Sequence, residues 1–397
     1  MMRRDLRLMR ACMAMTSALV LAGNVAVAQS IAGSGDLAAL KRAASQSVVP
    51  VSAAAGPTSF ADLAETVLPA VIGVRTKVAG PKGDRHPEGA PCGGHFRFGT
   101  PESEKEQSDD PESAQTTTEG SGFFISADGY AVTNGHVVQN SDTVEIQIGD
   151  KETYTAKVVG RDSISDLALI KVDGRSDFSF VRLAEQPPRV GDWVLAVGNP
   201  FGLGGTVTAG IVSARERNIE QGSAEDLLQI DAPINSGDSG GPSFDTKGNV
   251  VGVNSMILSP SGGSVGIAFA VPAETIRTVI PQLKEKGSVT RGWIGVEIQT
   301  VTPEIAEAAG LDSARGAIVA GITHGSPAEE SGIANGDVIA SLDGNPIKDA
   351  NELIRKVHAM PPDTSTELGV IRNGKHHAIK LTLGQLPSQT GDDVERN

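Results

Sequence analysis

From Gly122 to Val271 the chain is written in short apolar runs. They include Phe123-Phe124-Ile125, Val144-Glu145-Ile146-Gln147-Ile148, Ala168-Leu169-Ile170-Lys171-Val172, Val194-Leu195-Ala196-Val197 and Val250-Val251-Gly252-Val253. Runs this short, rich in β-branched residues and bounded by Gly, Asp and Asn, read as strands. Asp128-Gly129 gives a hairpin signal between two of them, and Lys247-Gly248-Asn249 a tight turn. Helical spacing is rare. Phe60, Leu63, Ala64 and Val67 predict a helix over Phe60–Leu68, with a first strand at Ala70–Val74 behind it. Ile276, Val279, Ile280 and Leu283 predict a second over Glu274–Lys286, stopped by Gly287. Pro281 conflicts with this stripe and is expected to kink or shorten the helix. Many short strands joined by tight turns predict a mainly β protein built on antiparallel barrels.

A second pattern begins after residue 288. Arg291-Gly292-Trp293-Ile294-Gly295-Val296 opens it, and a helix is expected over Ala350–Ala359. Asn373-Gly374, between the apolar runs Leu368–Arg372 and His376–Leu383, is a type I′ hairpin signal. The expected division is 59–288 for the first domain, 289–386 for the second, and a polar tail over 387–397. Residues 29–58, rich in Ala, Ser and Gly, read as a flexible linker. Residues 79–119 hold Pro, Gly and an acidic stretch from Glu102 to Glu112, and read as a mobile loop.

Composition agrees with the strand count: aromatics are 4% and glycines number 47 in 397 residues, a balance suited to tight turns rather than a helical bundle. The net charge of −14 leaves no basic surface to track phosphates, so nucleic acid is not an expected partner. Residues 1–28 carry Arg3, Arg4, Arg7 and Arg10, an apolar run from Ala11 to Gly23, and Ala26-Val27-Ala28. That is the layout of a cleavable signal peptide, giving a mature start at Gln29 in the periplasm. The apolar run is shorter than the roughly 20 residues of a membrane span, so no stable span is expected. Both general secretion and twin-arginine export remain open. After cleavage Cys92 is the remaining cysteine, which excludes an intramolecular disulfide. His86, Cys92 and His95 are irregularly spaced and lack a fourth ligand, so neither a metal nor a cofactor is expected.

The candidate chemistry lies in three stretches: Thr133-Asn134-Gly135-His136, Ser165-Asp166-Leu167-Ala168, and Asn235-Ser236-Gly237-Asp238-Ser239-Gly240-Gly241. Ser239 stands in a glycine-rich turn whose backbone can bend sharply. A serine hydroxyl needs a base within reach, and a carboxylate must fix the tautomer of that base. The order His136, Asp166, Ser239 is the order in chymotrypsin. Ser239 is the expected nucleophile, His136 the base and Asp166 its orienter, with Gly237, Asp238 and Ser239 forming the oxyanion hole.

Together with Gly120-Ser121-Gly122-Phe123 and Gly198-Asn199-Pro200-Phe201-Gly202, these stretches resemble the HtrA (Deg) family of serine proteases from about Phe60 to Leu383. Asp238 departs from the family's usual Asn, and Pro233 from its usual small residue. The resemblance implies a trypsin-like pair of six-stranded barrels followed by a small α+β PDZ domain. Trp293, Ile294, Gly295 and Val296 would bind C-terminal peptides by adding a strand to a sheet edge. It implies an ATP-independent endoprotease that degrades misfolded or regulatory proteins, assembled as a homotrimer with the segment around Phe60 in contact. It also places Ile234, Met256 and Ile257 around the S1 pocket, which would then favour small or medium aliphatic residues. The alternative is a chaperone-like holdase or a peptide-sensing binding protein with minor proteolysis.

Overall fold

The structure, a computed structural model, describes residues 56–79, 115–139, 141–149, 152–200, 204–217 and 226–387. The expected signal peptide, most of the linker, the stretch with His86, Cys92 and His95, and nearly all of the polar tail lie outside these residues.

Six antiparallel strands close the first barrel: β1 (Val71–Ala79), β2 (Gln115–Phe124), β3 (Tyr130–Asn134), β4 (Thr143–Ile148), β5 (Glu152–Asp162) and β6 (Leu167–Val172), in the order β1-β2-β3-β6-β5-β4. Strand β6 shows why its sequence is apolar almost throughout. Ala168, Ile170 and Val172 fill the barrel, while Leu167 and Leu169 face a second cluster shared with the neighbouring barrel. A strand buried on both faces loses the usual alternation. The loop expected over 79–119 is shorter than its pattern suggested. Gln115–Glu119 already belong to β2, pairing with Arg75–Ala79 of β1, and Glu119 accepts from Arg75 Nε at 2.9 Å.

The second barrel uses β8 (Trp193–Gly198), β9 (Thr206–Arg217), β10 (Leu227–Ile230), β11 (Pro242–Phe244), β12 (Asn249–Ile257) and β13 (Ala268–Pro272), closed by the β11–β12 pairing. The short β7 (Arg182–Leu183) lies parallel beside β12. Helix α1 (Ala61–Val67) and the 3₁₀ turn Leu68–Ala70 seal the shared cluster with Val67 and Ala70.

Helix α2 (Ala273–Lys286) runs through Pro281 without ending. A proline inside a helix costs about 3 kcal/mol. The burial of Ile276, Val279, Ile280 and Leu283, at about 1.5–3 kcal/mol each, outweighs that cost. Gly287 caps the helix at φ 73°, as its position predicted.

The third unit has its own core around Ile294, Val319, Leu353, Leu368 and Val370. Its main sheet runs β15 (Val296–Thr300), β16 (Ala317–Ile322), β17 (Val338–Leu342), β19 (Ser365–Arg372), β20 (Lys375–Thr382), with β18 (Asn345–Pro346) paired to β17. The short β14 (Gly292–Trp293) and β21 (Gly384–Gln385) pair separately. Three helices complete the unit: α3 (Pro303–Ala309), α4 (Pro327–Glu330) and α5 (Ala350–Ala359). Asn373-Gly374, with φ of 50° and 72°, joins β19 to β20 by the two-residue turn its sequence predicted. Two buried or half-buried ion pairs tie this unit to the barrels. Arg291 clasps Asp162 through two bonds of 2.7 Å, and Arg355 meets Asp226 at 2.9 Å.

Candidate active site between the barrels

Strands β3 and β6 are neighbours, with Asn134 opposite Leu167. That register puts the turn after β3 and the residue before β6 at the same end of the barrel. His136 opens a 3₁₀ turn there, and Asp166 faces it. Asp166 Oδ1 accepts the His136 backbone N–H at 2.9 Å, and Oδ2 meets His136 Nδ1 at 2.6 Å. This two-point grip requires Asp166 to adopt φ 53°, an uncommon left-handed conformation for a residue with a side chain. Its carbonyl is fixed in that conformation by the N–H of Gly135 at 2.9 Å and by Asn134 Nδ2 at 2.8 Å.

Ser239 comes from the second barrel, on the loop between β10 and β11. Ser121 of β2 reaches across to hold that loop. Its N–H donates to Ser239 O at 2.8 Å and its hydroxyl to Gly237 O at 2.6 Å, while Thr133 Oγ1 donates to Ser121 O. Gly240, at φ 87°, packs so closely on Ser121 O and Thr133 Oγ1 that no Cβ fits.

The structure adds a residue that the sequence did not single out. Ser255 lies at an irregularity in β12, where the pairing with β13 shifts between Asn254 and Met256. Its hydroxyl donates to Asp166 Oδ2 at 3.0 Å, and its carbonyl accepts from Ser239 Oγ at 3.1 Å. Ser239 thus donates to Ser255 rather than to His136. His136 Nε2 is buried and has no partner among the described residues. Neither the Gly237 nor the Ser239 backbone N–H donates to any described acceptor.

Asp238 does not fit the oxyanion-hole role expected of it. Its N–H is taken by Asn235 O at 3.0 Å, and its side chain turns away, with Oδ2 accepting the Asn235 N–H at 2.8 Å. Oδ1 packs against Gly198 and has no partner among the described residues. Burial therefore pushes the Asp238 carboxyl above the ordinary range, opposed by the Asn235 N–H.

The three expected S1 residues are not gathered around one open slot. Ile234 and Ile257 are 1% and 2% exposed and belong to the interior of the second barrel. Met256 packs instead on the cluster shared between barrels. Successive strand residues point to opposite faces, which separates 256 from 257.

A further arginine supports the site from outside. The Asp162 carboxylate that Arg291 clasps also accepts from the N–H and hydroxyl of Ser165, the residue before Asp166. Burial alone would raise the Asp162 carboxyl, but Arg291 and Ser165 more than reverse it and hold it low. This link joins residues 129 positions apart, so no local pattern signals it.

In the third unit Trp293, Gly295, Val296 and Ile298 face Leu353, Ile354 and Val357 of α5 across a groove of about 60 Å³. Ile294 lines the groove and is also packed into the core, 4% exposed. Gly295, at φ 84°, lies against Ser326 with no space for a Cβ. Strand β15 is an edge of the main sheet, so its outer side is open to an added strand. Among the described residues no group of acidic, histidine or cysteine side chains could hold a metal ion.

Comparison with known proteins agrees with this geometry. Residues 120–253 match the trypsin-like peptidase domain family and residues 292–383 the PDZ domain family. A probable periplasmic serine endoprotease, DegP-like, from Rhizobium meliloti (strain 1021) is 52% identical over 271 residues, covering 68% of this chain and 54% of that relative. The protein of the same description from Brucella suis biovar 1 (strain 1330) is 44% identical, covering 92% of this chain and 77% of the relative. The chain thus spans about half the length of the first relative and three quarters of the second. Among solved structures, the HtrA-type protease AlgW with decapeptide superposes with a TM-score of 0.68 at 35% identity, covering 83% of this chain and 100% of that one. A serine endoprotease from Yersinia pestis superposes at 0.59 with 28% identity, covering 84% and 100%. With its two barrels, its single PDZ domain and these relatives, the chain belongs to the HtrA-type, DegP-like family of periplasmic serine endoproteases.

Proposed function

We propose that the chain is an ATP-independent serine endopeptidase of the bacterial envelope, with Ser239 as nucleophile, His136 as general base and Asp166 as its orienter. The observation that carries this reading is the grip of both Asp166 oxygens on His136, which keeps Nδ1 protonated and leaves the Nε2 lone pair free. Ser239 Oγ turns from Ser255 O to Nε2 and transfers its proton as it attacks the peptide carbonyl. The N–H groups of Gly237 and Ser239 receive the oxyanion, and losing one such donor typically costs about 10²–10³ in rate. His136 then protonates the leaving amine, and water, deprotonated by the same ring, hydrolyses the acyl-enzyme.

Recruitment of C-terminal segments of unfolded or misfolded proteins falls to the groove between β15 and α5. Cleavage after small or medium aliphatic residues is supported by the engagement of the Asp238 carboxyl with the Asn235 N–H, which turns the acid nearest the nucleophile away from a basic substrate side chain. Removal of residues 1–28 and a periplasmic location fit the names of the relatives. No helix among the described residues is long and apolar enough to cross a membrane. A homotrimer through the segment around Phe60 is supported by an apolar face there: Phe60 lies 5.7 Å from Trp193, which is 42% exposed. Casein digestion by the wild type against Ser239→Ala tests the catalytic reading. The variant is expected to lose on the order of 10⁴-fold or more in turnover, and near-normal digestion would overturn the assignment.

A further inference from the structure

Ser121 is fully buried in β2 of the first barrel, yet its side chain makes both of its bonds outside that barrel. Its one hydroxyl is used twice. The O–H donates to Gly237 O at 2.6 Å, and the oxygen accepts the Asn199 N–H at 2.8 Å. Asn199, 2% exposed, directly follows β8, and its Oδ1 takes the Gly205 N–H at 3.2 Å. Three separate parts of the chain therefore meet on one oxygen atom: β2, the segment after β8 and the loop that carries Ser239. A serine hydroxyl has a single proton to give. With the Asn199 N–H on the oxygen, that proton goes to Gly237 O.

Every carbonyl around the Ser239 N–H is held. Gly237 O is bound by the Ser121 hydroxyl, Ser239 O by the Ser121 N–H at 2.8 Å, and Asp238 O, in the peptide unit between them, by the Gly241 N–H at 3.0 Å. The loop needs such anchors because glycines bracket its centre. Gly237 and Gly240 have φ of 92° and 87°, a region that glycine enters without steric cost. A planar peptide unit held at its oxygen cannot turn its N–H. Gly120 makes the close approach possible, since a Cβ there would lie 3.0 Å from Ser239 O.

We propose that Ser121 is a positioning residue for proteolysis: its hydroxyl fixes the peptide unit between Gly237 and Asp238, and with it the direction in which the Gly237 and Ser239 N–H groups meet the oxyanion. This rests on the assignment of Ser239 and of those two donors made above. Alanine at position 121 would keep the backbone bonds to Ser239 and Thr133, so the barrels stay joined. It would leave Gly237 O and the Asn199 N–H buried without a partner, a state the loop relieves by turning at Gly237. Being fully buried, Ser121 cannot touch substrate, so its loss falls on the transition state rather than on ground-state binding.

Casein cleavage by full-length wild type, Ser239→Ala, Ser121→Ala and Ser121→Cys tests this, at a temperature where melts show each variant folded. Ser121→Ala is expected to lower kcat by about 10²-fold, the scale of a misplaced group at the reacting centre, with KM little changed. Ser121→Cys nearly keeps the shape but carries a weaker donor, and its kcat should fall between the two. A residue that only stabilised the fold would lower the melting temperature and leave kcat per folded molecule at the wild-type value. Wild-type kcat in folded Ser121→Ala, or in Ser121→Cys should the alanine variant not fold, overturns the proposal, as does a loss confined to KM. Near-normal cleavage by Ser239→Ala would instead overturn the assignment on which the proposal rests.

Discussion

The first barrel presents His136 and Asp166 fully braced, whereas the second presents Ser239 on a loop that has yet to engage its base. In the first, three donors (the His136 N–H, the ring at Nδ1 and Ser255 Oγ) converge on one carboxylate, and its backbone is held from two sides. In the second, the proposed nucleophile Ser239 donates to a carbonyl, and among the described residues two N–H groups lack acceptors and a carboxyl oxygen of Asp238 has no partner. On the proposed assignment, the acid–base pair is organised before substrate arrives, and the loop of the second barrel is where substrate contacts have work left to do.

Three changes test that contrast. The largest effect is expected at the braced half. Asp166→Asn keeps the shape but offers an amide where the ring needs an acceptor, so turnover should fall by on the order of 10⁴ with the fold intact. Peptidase assays alongside a thermal melt check it, and near-normal turnover would remove Asp166 from its role.

Next is Arg291→Ala, which leaves Asp162 buried beside Ser165 without its cation. Breaking a buried pair from one side costs about 3–5 kcal/mol, read as a lower melting temperature. Asp162 has a lowered carboxyl in the folded wild type, so its contribution is present above the ordinary Asp pKa and fades as pH falls through the folded value. The gap between wild type and variant should therefore close on acidification below roughly pH 4. A gap independent of pH would mean that the pair is not its source.

The smallest effect belongs to Asp238→Asn on the unbraced side. The Asp238 carboxyl is raised in the folded state, so its contribution is complete at low pH and is lost as pH rises through the folded value. A neutral amide avoids that loss while its oxygen still accepts the Asn235 N–H. The variant should melt a few degrees higher at neutral pH, for about 1 kcal/mol, with no advantage at roughly pH 4. An equal shift at both pH values would show that ionisation is not the cause.

How much of this could be read from the sequence follows from the range of each interaction. The order His136, Asp166, Ser239, on which the proposed triad rests, could be read because each residue flanks a strand or sits in a glycine turn. The hairpin at Asn373-Gly374 and the cap at Gly287 were legible because φ > 0 is a local demand. The failures have non-local causes. Ser255 acts through a shift in strand pairing, which is a relation between β12 and β13. Strand alternation then sends Met256 and Ile257 to different clusters, which carrying the S1 positions over from the family resemblance did not take into account. Pro281 is carried by packing that propensity does not include. The direction of the Asp238 side chain depends on Asn235 and Gly198, and Arg291 works on Asp162 from another domain.

The irregularity at Ser255 gives β12 a fixed length. From the turn at Lys247-Gly248-Asn249 the strand must count to Ser255 before its pairing slips by one. Deleting one residue in that interval would restore regular pairing and withdraw the carbonyl under Ser239 and the hydroxyl on Asp166 together. Variation by insertion or deletion is thus tolerable at the turn but not along the strand. A library that varies only the half-buried positions Asn249 and Met256 is expected to retain active enzymes, whereas one that varies the length of β12 is not.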